Sequence, residues 1–69
     1  MKKNSTSAKV LEKFLKKEYI NKGGADNLDV AIRDCLTDMF HIIENNKLKT
    51  NLFERLDDAK IVFDEEGAQ

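Results

Sequence analysis

Asp34, Asp38, His41 and Asn45 follow one another at intervals of four, three and four residues, within the stretch DCLTDMFHIIEN. On a helix those intervals place all four on one face. Two carboxylates and an imidazole in line offer ligand atoms for a divalent cation or contacts for a polar partner, since hard ions take several oxygen ligands. The plainer account is that a helix with one buried face has one solvated face, where such residues belong. The like charges of Asp34 and Asp38 repel by a few tenths of a kcal/mol, which favours a cationic neighbour. Cys35 and His41 cannot form a nucleophilic pair, because on one straight helix they point to opposite sides.

Further along, Glu54 and Asp57 stand three residues apart, as Asp38 and His41 do. Together these positions resemble the paired ExxE and ExxD helices of MazG-type all-α nucleotide pyrophosphatases. That resemblance implies a vestigial hydrolase holding magnesium over a triphosphate. His41 stands where that pattern has a Glu, and magnesium prefers oxygen. We therefore expect a protein that is not an enzyme, with no catalytic residue, metal or cofactor.

A third constellation is basic. Lys9, Lys13, Lys16 and Lys17 share one side of the first helical segment, behind Lys2 and Lys3. Such a stripe can neutralise phosphates. No Arg occurs in residues 1–22, however, and Phe14 and Tyr19 lie on or beside the apolar arc. Base readout and base stacking both lack their usual residues, so the stripe reads as a solvated face or a dock for an acidic surface. A nucleic-acid accessory role is the weaker alternative.

The elements that carry these residues are helical. Val10, Leu11, Phe14, Leu15 and Tyr19 keep a three-to-four spacing, with Ser5, Thr6 and Ser7 as N-cap candidates and Gly23 as a left-handed stop. This predicts a first helix over 7–22. A second helix is predicted over 27–45. Asp26 or Asn27 caps it, Asp29 suits its positive end, and Asn45-Asn46 closes it. Its apolar set, Leu28, Ile32, Cys35, Leu36, Met39, Phe40 and Ile43, falls on one broad arc, which marks it as the core of the molecule. The third is predicted over 51–64. Asn51 and Glu54 suit a capping box, Thr50 competes as cap, and Leu52, Phe53, Leu56, Ala59 and Phe63 form the stripe. Ile61 points away from that stripe, so either a second interface forms or the helix loosens near KIVF. Residues 1–5 and 65–69 read as disordered ends.

The chain has 69 residues, one cysteine and no proline. One small core of that size supplies about 3–5 kcal/mol, and a single thiol closes no intrachain disulfide. Cys35 among apolar neighbours reads as a small buried hydrophobe in a reducing compartment. Nothing approaches the roughly 18 apolar residues of a spanning helix, and MKKNSTSAK lacks the apolar stretch of a signal peptide. The expected place is the cytoplasm, with no membrane partner. Residues 1–22 carry a net +5 and residues 23–69 a net −6, so the halves attract each other or two different partners.

The expected architecture is a small all-α, three-helix domain that completes its core by self-association. A homodimer resembling a four-helix bundle is the natural solution, with Leu36, Met39, Phe40, Ile43, Leu56 and Phe63 at the interface. The run from Ala31 to Glu66 also resembles a pattern in small proteins of phages and other mobile elements. Leu36, Thr37, Asp38 and His41 carry its first part, Leu48 its middle, and Glu54, Arg55, Ala59, Phe63 and Glu65 its ending. That likeness implies no known chemistry, but it gives Asp38 and His41 more functional weight. The expected function is a non-enzymatic interaction module with an unknown protein partner. A counter-defence inhibitor or nucleotide-sequestering protein is the alternative.

Overall fold

Ser5 opens the first helix: its side chain accepts the Ala8 amide at 3.1 Å, so one orphan N–H of the first turn is satisfied. In the computed structural model, which describes residues 5–67, α1 spans Thr6–Leu15, α2 Leu28–Asn45 and α3 Leu52–Gly67. The all-α expectation holds, and no strand occurs among the described residues. Residues 1–4 and 68–69 lie outside them.

The first helix does not keep α geometry to its end. After Leu15 it widens into a π-helical segment, Lys16–Asn21, closed by the Lys22 amide donating to the Lys17 carbonyl at 3.2 Å. The sequence spacing explains why. From Phe14-Leu15 the next apolar pair is Tyr19-Ile20, five residues on, and an i→i+5 turn carries that pair back onto the face of its predecessors. The expected left-handed stop also moves by one residue. Gly24, not Gly23, has the positive φ of 83°. Gly23 is needed for closeness instead, because a Cβ there would sit 2.9 Å from the Tyr19 carbonyl oxygen.

α2 is capped by Asn27, whose side chain accepts the Val30 amide at 2.9 Å. At the far end Asn46 keeps a negative φ and donates its side-chain amide to the Ile42 carbonyl at 2.8 Å. A side-chain bond thus stands in for the expected left-handed Asn, and the positive φ falls on Lys47, at 51°. Asn51 wins over Thr50 as cap of α3, accepting the Phe53 and Glu54 amides at 2.9 and 3.4 Å. α3 stays helical through KIVF and on to Gly67. Residues 65–67 belong to this helix, which continues past a Lys60–Asp64 pair at 2.6 Å through two glutamates, which are good helix formers.

The intramolecular core is smaller than the sequence suggests and uses only one edge of the expected α2 arc, where Leu28 and Cys35 flank Ala31. Leu15, Ala25 and Ala31 are buried together, with Tyr19, Ile20, Leu28, Val30 and Cys35 packed around them. Ala31 is fully buried; its small side chain lets α2 approach the π segment closely. The large residues of the apolar arc are left open, with Met39 40% and Phe40 46% exposed. Only the edge of the arc at Leu28 and Cys35 therefore joins this chain's core, because α1 and the π segment cover the Ala31–Cys35 side. α3 departs from the other helices after its first turn. Leu52 is buried and the Phe53 ring lies 5.9 Å from that of Phe40, whereas Leu56, Ile61, Val62 and Phe63 are exposed. The radius of gyration is 13.7 Å, against about 11 Å for a compact chain of this length.

Candidate functional site

The DCLTDMFHIIEN face divides in the structure. Asp38 lies beside the π segment, where its carboxylate accepts the Tyr19 hydroxyl at 2.7 Å. That bond, across nineteen positions of sequence, is the one side-chain hydrogen bond between α2 and the first helix among the described residues. It favours the neutral phenol, so the Tyr19 pKa is raised well above its ordinary value. Asp38 is the main cause, followed by partial burial and the neighbouring Cys35. Asp34 accepts instead from its neighbour Arg33, through Nε at 3.1 Å and Nη2 at 2.9 Å. The repulsion between the two aspartates is thus met locally, by a guanidinium and a hydroxyl. His41 and Asn45 are exposed on the remaining part of the face.

No group of three His, Cys, Asp or Glu side chains suited to a metal ion is gathered among the described residues. Glu54 and Asp57 sit on α3, which does not pack along α2, so they do not join Asp38 and His41 in one MazG-like cluster. Cys35 is half-buried against the core beside Tyr19, while His41 is exposed.

The lysine stripe is similarly divided. Lys16 pairs with Glu12 at 2.8 Å, and this contact holds the Glu12 carboxyl below its ordinary range. Lys9, Lys13 and Lys17 are exposed with no ion pair among the described residues.

The most extensive feature is apolar. Ile32, Met39 and Phe40 of α2 are exposed together with Leu56 and Phe63 of α3; Leu36 and Ile43 are half-buried. These include all six residues expected at a self-association interface. Val10, Leu11 and Phe14 of α1 are exposed as well. The chain leaves 5876 Å² accessible, about 1,500 Å² more than the roughly 4,400 Å² of a compact monomer of its mass.

The sequence reading missed Tyr19 as the partner of Asp38. The five-residue step from Phe14-Leu15 to Tyr19-Ile20 was the available signal. No helix among the described residues is long and apolar enough to cross a membrane. No family model, curated protein or solved structure matches the chain.

Proposed function

We propose that this protein acts by binding rather than by catalysis, as a small helical module that assembles with copies of itself. The observation that carries this reading is the uncovered apolar surface of α2 and α3, in a chain that exposes 5876 Å². A surplus of about 1,500 Å² over a compact monomer compares with about 800 Å² per partner in a standard stable interface. Apolar surface left in water is unfavourable by about 25 cal/mol per Å², so the exposed Ile32, Met39, Phe40, Leu56 and Phe63 side chains favour being covered. The likeness of residues 31–66 to small phage and mobile-element proteins suits an accessory role for such an assembly.

The polar face fits the same reading. Asp38 fastens α2 to the π segment, and His41 and Asn45 are left as contacts for a further protein. Native mass spectrometry of the protein purified from its own host tests the proposal. The expected species contains two or more copies of the chain. A single 7.9 kDa chain at high concentration, carrying nothing, would overturn it.

A further inference from the structure

Ile32, Leu36, Met39 and Ile43 on α2 are separated by four, three and four residues, and Leu52, Leu56, Ala59 and Phe63 on α3 repeat those intervals. Alternation of three and four is the spacing of a seam that packs against another helix. Both seams cover twelve residues, about 17 Å from first to last at a rise of 1.5 Å per residue. The α3 seam is narrow at Ala59, which suits the bulk of Leu36 or Met39 opposite it according to the direction of the arm, because facing positions that alternate large and small side chains interdigitate well.

The two seams do not meet within one chain. Leu52 is buried and Phe53 rests on Phe40, which anchors the start of α3, and from Leu56 onward the helix is exposed. Each chain therefore presents a seat on α2 that is only partly covered, with Ile32 and Met39 exposed and Leu36 and Ile43 half-buried, and an arm on α3 that projects from Leu56 onward. A two-fold axis satisfies both at once, because the arm of each copy then reaches the seat of the other and the assembly closes. Resting on the self-association proposed above, we infer that the partner of the α2 seam is the α3 helix of a second copy, in a reciprocal arm exchange.

Directed cross-linking in the full chain tests this pairing. With Cys35→Ala removing the native thiol, one chain carries Ala59→Cys and the other Leu36→Cys or Met39→Cys. The two are mixed under mild oxidation. The expected product is a mixed disulfide between unlike chains, in large excess over either like-chain dimer, with the favoured α2 position giving the direction of the arm. A dominant dimer of two α2 variants or of two α3 variants would overturn the inference. So would an intrachain disulfide in a monomer carrying both substitutions, since the arm would then close on its own seat.

A second measurement needs no new cysteine. Leu56→Asp leaves the Leu15–Ala25–Ala31 core untouched and is expected to abolish the dimer while the raised Tyr19 titration persists. A dimer that survives Leu56→Asp overturns the arm exchange but leaves self-association standing. A wild-type monomer at high concentration overturns both.

Discussion

Leu15→Ala is the substitution that most directly weighs the small intramolecular core. Leu15 is 7% exposed, and its companions in the buried cluster, Ala25 and Ala31, are far smaller. Truncating a buried leucine costs about 2–5 kcal/mol, increasing with the cavity left behind. Here Tyr19, Ile20, Leu28, Val30 and Cys35 are only partly buried and can relax inward, which places the cost at about 2–3 kcal/mol. A core of this size supplies about 3–5 kcal/mol in total, so the variant loses most of the stability of the α1–α2 unit. Leu11→Ala is the matched control: the same exchange one turn earlier in α1, at a side chain 52% exposed. It is expected to cost about 1 kcal/mol or less. Urea unfolding followed by circular dichroism, at concentrations low enough to minimise association, gives both values. Equal effects at the two positions would refute the placement of the core.

Tyr19 is the only tyrosine, so an ultraviolet absorbance titration reads it alone. Its midpoint is expected above the ordinary value of about 10, and Asp38→Asn should bring it back down. The phenol is the group whose folded pKa is raised, so the bond's contribution is complete below about pH 10 and fades as the pH rises through the folded value. An unshifted wild-type midpoint would show that the Tyr19–Asp38 bond does not form. Gly24→Ala places a Cβ at a φ of +83° and should destabilise by about 1–2 kcal/mol, as measured by thermal melting. His41→Ala removes an exposed side chain and should change monomer stability by no more than about 0.5 kcal/mol; a larger loss in the same melt would reveal a structural partner.

Much of the fold was legible because local signals marked the helix ends. Ser5, Asn27 and Asn51 carry their cap oxygens in the sequence itself, and all three accept backbone amides as expected. The π segment was not legible from a search for α periodicity, because Leu15 and Tyr19 also fit an ordinary step of four and only the pair spacing from Leu15 to Ile20 is compatible with the wider turn. How much of the α2 arc is covered inside the chain was also misread. Hydrophobic patterning marks every surface that will be buried, whichever molecule covers it, so Ile32, Met39 and Phe40 looked like core beside Ala31. For the same reason Asp38 was taken with Asp34 and His41 as one polar sector. Its place next to Tyr19 depends on how two helices cross, and no local pattern records that.

Sedimentation equilibrium across a wide concentration range tests the central claim most directly. The account predicts a mass that rises from that of a 7.9 kDa chain to at least twice that value. Met39→Asp, which puts a charge in the middle of the α2 seam, should hold the chain at the single mass while Leu15 and Ala31 keep their packing. A wild-type chain that remains one copy at hundreds of micromolar would contradict the account, because the exposed faces of α2 and α3 would then be the finished surface of the protein.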